Sequence, residues 1–248
     1  TSTGSFGSLV VAGNVSGSAT STGSFGTLRL KDDVMIGKFG SNNFVFAKEG
    51  DQPFGGGSAN IAIGNDVLGD QGPTTGDSNV AIGDRALRYV TSGGYNVGIG
   101  ASAFQSVTDH SNNSIGRTAG YGVKGEYNVF IGGYAGVGAV DPFYGGVDVD
   151  NNVGIGNRAL NLVLNSNNVG IGYYAGKNAT SGSGNTFIGS EAGEGSTSAP
   201  FGPGGSNTFI GASAGKAFTT GANNAAFGAS AMLFNTSGNY NTSIGAQS

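Results

Sequence analysis

The chain of 248 residues has no cysteine and no tryptophan, one histidine, two methionines and five prolines. Without cysteine there is neither a disulfide framework nor a thiolate metal site. The lone imidazole, His110 in Thr108-Asp109-His110-Ser111, has no second imidazole to complete a metal site or an acid-base dyad, and reads as a solvated loop residue. Charge is equally scarce. Eleven basic and 15 acidic residues make up 10% of the chain, against about a quarter in an ordinary soluble domain. A net charge of −4 and a pI near 4.8 leave no basic stripe for nucleic acid. That charge is also too small to hold the chain open as a disordered polyelectrolyte. No apolar run approaches the roughly 18 residues of a spanning helix. The start, Thr1-Ser2-Thr3-Gly4, lacks a basic or apolar leader and reads as the opening of a fragment or a processed product.

Glycine fills the space that these residues leave: 50 of 248 positions. Twenty of these fall in one repeated unit: Asn, a small or apolar residue, any residue, Ile or Phe, Gly, two variable residues, Ala, then a large apolar residue or Gly. The unit recurs eleven times, opening at Asn60, Asn79, Asn96, Asn112, Asn128, Asn152, Asn168, Asn185, Asn207, Asn224 and Asn241. Its basic period is about 16–17, short for a repeat protein. Asn43-Phe44-Val45-Phe46 lies one period before Asn60 as a degenerate opening unit, with Ala47 where Gly is expected.

A period this short cannot hold a helix pair, which needs more than about 30 residues, but suits one coil of a β-solenoid built from two short strands. In Asn79-Val80-Ala81-Ile82-Gly83 the branched residues lie two apart and share one face of a strand, and Gly83 permits a turn. Ala86 falls on the returning strand, where a narrow interior admits little more than a methyl group. Stacked coils align the asparagines into an amide ladder. The expected fold is all-β: a parallel β-solenoid of about eleven 16–17-residue coils over 59–248. A β shaft precedes it at 1–30, where Thr1-Ser2-Thr3-Gly4-Ser5-Phe6-Gly7 recurs as Thr20-Ser21-Thr22-Gly23-Ser24-Phe25-Gly26, and 31–58 forms the transition.

The residue two after each Asn is tiny or aromatic and never charged, and it points away from the Val and Ile face. This marks Phe130, Phe187 and Phe209 as candidate subunit contacts. A coil this thin has little core of its own, and side-by-side association would add burial.

The units Asn185-Thr186-Phe187-Ile188-Gly189-Ser190-Glu191-Ala192-Gly193 and Asn207-Thr208-Phe209-Ile210-Gly211-Ala212-Ser213-Ala214-Gly215 resemble the head repeats of trimeric autotransporter adhesins. They are closer still to the Asn-Thr-x-Ile-Gly-x-x-Ala-Gly repeats of bacteriophage tail fibres and spikes. The resemblance covers the chain from Asn60 onward. It implies a left-handed β-roll, homotrimeric, in an elongated virion or cell-surface appendage. The adhesin coil is usually shorter, so the longer spacing here favours the fibre.

The chemical motifs are weak. Gly98-x-Gly100-x-x-Ala103 and its equivalents at Gly154 and Gly170 match a loose dinucleotide fingerprint, but each is a solenoid turn with no helix after it. Asp148 and Asp150 could share one side of a strand and bind calcium weakly, or act as a glycosidase pair. No serine has a partner base. Insertions at 69–78, 137–151 and 194–206 interrupt the period, and such insertions are where binding usually resides. Phe143, Tyr144 and Phe201 beside prolines, with Tyr173 and Tyr174 on a turn, are the candidate receptor contacts. The expected protein is a structural and adhesive component of a trimeric phage tail fibre or related virion appendage, at the virion or extracellular surface. Its expected partners are a host-surface glycan or protein and other tail proteins. No cofactor, nucleic acid, membrane insertion or enzymatic activity is expected. A bacterial surface adhesin head is the alternative, and a polysaccharide-depolymerising tailspike a more distant one.

Overall fold

The computed structural model describes residues 27–30, 34–39, 42–48, 57–68, 75–105, 110–138, 147–162, 164–178, 182–195 and 204–248. The shaft repeats at 1–26 lie outside this set, as do 69–74, 139–146 and 196–203 within the insertions. Among the described residues every regular element is a strand, sixteen in all, numbered in chain order. Strands β1 (Thr27–Leu30), β2 (Val34–Phe39) and β3 (Asn43–Lys48) form an antiparallel meander. From β3 onward the pairing becomes parallel. Each later strand of this sheet lies beside its predecessor, through β4 (Ile61–Gly64) to β16 (Thr242–Ile244). The sheet holds fourteen strands; without β1 and β2, twelve are mutually parallel. A separate parallel pair joins β8 (Val123–Lys124) to β10 (Val147–Asp148), and β10 lies within the second insertion.

This is a parallel β-solenoid, with the register that the repeat demands: Val80 opposite Val97, Ala81 opposite Gly98, Ile82 opposite Ile99. The asparagine ladder begins at Asn43, inside the segment read as a transition. The Asn60 backbone N–H donates to Asn43 Oδ1 at 2.8 Å, and the same bond recurs at every coil to Asn241, at 2.8 to 3.0 Å. Several Nδ2 groups donate to a turn carbonyl as well, as Asn79 does to Gly93 at 2.9 Å. All the ladder asparagines except Asn241 are buried, so each amide satisfies backbone that water cannot reach. Ala47 replaces the usual glycine because β3 continues straight through it to Lys48. In the other coils the glycine at this position has φ between 126° and 139°. At Gly172 an added Cβ would lie 2.5 Å from the Gly189 carbonyl oxygen of the next coil.

Two expectations change. Each coil has one strand in the long sheet rather than two. The return leg is a column of turns in which non-glycine residues adopt positive φ, such as Arg85 at 57° and Leu87 at 50°. Its backbone hydrogen-bonds up and down the stack: Ser102 N–H donates to Asp84 O at 2.8 Å, and Leu87 N–H to Ala103 O at 3.0 Å. The second change is which side of the strand is inside. Phe130, Phe187 and Phe209 are fully buried within the single chain, so they are core residues and not subunit contacts. The Val and Ile positions on either side of them are half-buried or exposed.

The physical reason is volume. Directly behind the strand the interior is one file of side chains, fed by the residue two after Asn and the residue eight after it, while Val90, Val123, Val149 and Phe218 fill a further part of the core. Where the first is small the second is large: Ala81 with Leu87, Gly98 with Phe104, Gly154 with Leu160, Ala226 with Met232. Where the first is Phe the second is Gly: Phe130 with Gly136, Phe187 with Gly193, Phe209 with Gly215. A Cβ on Gly136 would sit 2.1 Å from the Phe130 ring. Two coils are small at both positions and borrow from their neighbours. Phe104 fills the space at Gly120, while Leu160 and Phe187 fill it at Gly176. The alanine seven after the Asn in the nine coils from Asn79 to Asn224 lines the same file, fully buried from Ala86 to Ala231, and Val67 takes its place in the coil from Asn60. Ser114, alone among these inward positions in being polar and buried, donates its hydroxyl to Ala119 O at 2.7 Å.

Candidate functional site

The turn that leads into each strand gives His110 and Asp150 a structural role. The backbone N–H two residues before a ladder asparagine is met by the side chain at the equivalent place in the next coil. Ser58 N–H donates to Asp77 Oδ1 at 2.6 Å, Gly94 N–H to His110 Nδ1 at 3.0 Å, and Glu126 N–H to Asp150 Oδ1 at 2.8 Å. Asp150 N–H donates to Ser166 Oγ at 2.9 Å, and Ala222 N–H to Asn239 Oδ1 at 2.7 Å. Asp, His, Ser and Asn share one property here, a hydrogen-bond acceptor on a short side chain. His110 is thus exposed yet structurally engaged rather than merely solvated. Asp150 has one carboxylate oxygen committed to the turn, and Asp148 lies opposite Lys124 in the β8–β10 pair. No group of three or more His, Cys, Asp or Glu among the described residues could hold a metal ion.

Phe143, Tyr144 and Phe201 lie outside the described residues. Tyr173 and Tyr174 are described, and they form part of a larger arrangement. Five and six residues after the ladder asparagine the chain rounds a corner, and three coils place small residues at both positions: Ala101 and Ser102, Ala212 and Ser213, Ala229 and Ser230. Four successive coils differ. The Arg117 guanidinium lies over the Tyr134 ring, 4.8 Å from its centroid, and a guanidinium N–H donates to the Tyr134 hydroxyl. Arg158 lies 5.5 Å from the centroid of that ring and 5.7 Å from that of Tyr174, to whose hydroxyl it donates at 3.0 Å. Tyr174 stacks on Tyr173, with centroids 4.0 Å apart and planes 13° from parallel, and Lys177 Nζ is 4.2 Å from the Tyr174 centroid.

The chain matches no family model, curated protein or solved structure.

The electrostatics of the strip follow from these contacts. The hydrogen bond between the two hydroxyls pushes the Tyr173 phenol above its ordinary range and, as its largest effect on the partner, draws the Tyr174 phenol below it. Arg158 adds to the second shift. One coil on, the charges are paired: Lys216 Nζ lies 2.7 Å from Glu191 Oε2, and Glu194 lies between Lys216 at 3.7 Å and Lys177 at 3.6 Å. That hydrogen bond to Lys216 holds the Glu191 carboxyl below the usual range. Sequence reading found the two tyrosines but missed Arg117, Tyr134 and Arg158. The signal was present, because each stands five or six residues after its asparagine.

The other conspicuous surface is the outward side of the parallel sheet. Its residue three after Asn is Ile or Phe in every coil, Phe46 through Ile244, and several are more than a third exposed: Ile115 42%, Ile131 37%, Phe227 40%. At about 4.8 Å per strand, twelve strands make this apolar column roughly 55 Å long.

Proposed function

We propose that the chain is a structural and adhesive component of an elongated homotrimeric fibre, a phage tail fibre or related virion appendage at the virion or extracellular surface, attaching to a host surface through its inserted loops. The observation that supports this reading is the column of Ile and Phe on the outer face of the sheet. Parallel sheets are normally covered on both faces, and here the return leg of the chain covers only one. A continuous apolar face of this length on a soluble protein marks association. Copies of the same chain are its natural cover, since each presents the same period and can match it coil for coil. Three such faces, each only three residues wide, enclose a narrow common core, and trimerisation is what the resemblance to fibre repeats implies. The turn columns and the insertions would then face outward, toward a receptor.

The test is sedimentation of the full chain beside Ile171→Asp, which places a charge on the outer column, and Phe187→Asp, which buries one in the file. An elongated trimer at micromolar concentration is expected for wild type. Ile171→Asp should fold but dissociate, and Phe187→Asp should fail to fold. A folded wild-type monomer at that concentration would overturn the reading.

A further inference from the structure

We propose that the strip formed by Arg117, Tyr134, Arg158, Tyr174 and Tyr173 binds an acidic polysaccharide, laid along the solenoid axis with its carboxylate or sulfate groups on the two arginines. The first support is charge accounting within an acidic chain. Of the four arginines with described side chains, Arg85 and Arg88 have a carboxylate within 4 Å. Among the described residues, Arg117 and Arg158 have none within salt-bridge distance, and instead each lies against tyrosine and donates to a tyrosine hydroxyl. A guanidinium has five N–H donors in one plane. Stacking occupies its face and one hydrogen bond uses one donor, which leaves the rest of the fork for an oxyanion. Two guanidiniums held by rings are already ordered, so binding immobilises little.

The second support is geometry. Arg117 and Arg158 are two coils apart, roughly 10 Å along the axis, which is close to the length of a disaccharide. A polymer with one acid group per disaccharide would meet the arginines in register, with Tyr134 between them beneath the intervening sugar. Tyr173 is 49% exposed. One face of its ring is taken by Tyr174, leaving the other for the apolar face of a sugar. The third is contrast with the rest of the solenoid: in the other coils from Asn60 onward one corner position carries a cation, Arg85, and it is paired with Asp66 and Asp84, so the strip of carboxylate-free arginines is local. The net charge of −4 disfavours a polyphosphate, which carries a charge on every residue, and favours a ligand with sparser charge and stacking surface. The site does not depend on the trimer, because all its residues belong to one chain.

The experiment measures binding of the full chain to immobilised polyuronate, dextran sulfate and neutral dextran in roughly 50 mM salt, where charge contacts are weakly screened. The first two separate carboxylate from sulfate as the recognised group. Expected is binding to at least one of them and none to dextran. Arg117→Gln/Arg158→Gln should weaken it about tenfold or more, as loss of two charge-assisted forks requires. Arg85→Gln, which removes the same charge elsewhere, should leave it within about twofold. Circular dichroism checks the fold, and the single Arg117→Gln variant, at the more exposed arginine, serves if the double variant does not fold. Four results would each overturn the proposal: no binding by wild type, an equal effect of Arg85→Gln, unchanged binding by the arginine variants, or tighter binding to a single-stranded oligonucleotide. Sedimentation reports on the fibre reading separately.

Discussion

If one large side chain per coil fills the file directly behind the strand, its source can be exchanged without loss of the fold. The coil from Asn207 provides the cleanest trial, because both neighbouring coils are already filled, by Phe187 and by Met232. Phe209 is fully buried, 5.8 Å from the Phe187 centroid and in edge contact with Phe218 at 5.2 Å. Phe209→Ala alone should destabilise by about 3–5 kcal/mol through lost burial and a residual cavity. Gly215→Leu alone should also destabilise, because its Cβ would lie 2.5 Å from the Phe209 ring. Overpacking adds about 1–3 kcal/mol and the left-handed backbone about 1–2 kcal/mol. Together the two substitutions recreate the Ala81 and Leu87 arrangement, in which a leucine at φ 50° is native. The double variant should therefore lose only the backbone term and the ring contact, about 2–3 kcal/mol. That is well short of the sum of the single effects, a coupling of at least about 2 kcal/mol. The assay is urea and thermal unfolding of all four proteins at one fixed concentration, since association shifts the midpoint. Additive losses, with coupling below about 0.5 kcal/mol, would refute the single file.

Two further outcomes follow from the hydrogen bonds. Asn168→Ala removes the acceptor for the buried Asn185 N–H, now at 3.0 Å, and should cost about 1–3 kcal/mol by urea unfolding; a neutral effect would mean that the ladder is ornamental. The Glu191–Lys216 pair should make a small, pH-bounded contribution. Folding lowers the Glu191 pKa from its ordinary 4.5, so this stability is present above that value and lost as pH falls through the folded pKa. The Lys216 pKa is raised from 10.5, so its share is present below that value and lost as pH rises through the folded pKa. Both side chains are about a third exposed, and screening limits the pair to about 0.2–1 kcal/mol. Melting of Glu191→Gln against wild type should differ at neutral pH and converge in acid; a difference that persists unchanged in strong acid would exclude the ion pair as its source.

The repeat period by itself determined that this chain stacks into a parallel β-solenoid, because so short a unit closes one coil and identical coils can pair only in parallel. Asparagine, with a donor and an acceptor on one short side chain, and glycine, which accepts the positive φ of the turn, were legible as the ladder and the corner for the same reason. Of the site, the sequence reading singled out only Tyr173 and Tyr174. Arg117, Tyr134 and Arg158 are separated along the chain by whole coils, and only the stack makes neighbours of them. Tertiary structure also decided which side of each strand is interior. A two-residue alternation shows that Val80 and Ile82 share a face but not which face is covered. The branched residues look like core when the strand is read alone. What places Ala81, Phe187 and Phe209 inside is the residue eight after each asparagine, approaching from the return leg: the two positions together have room for one large side chain per level, so the Val and Ile flanking them in the strand face outward.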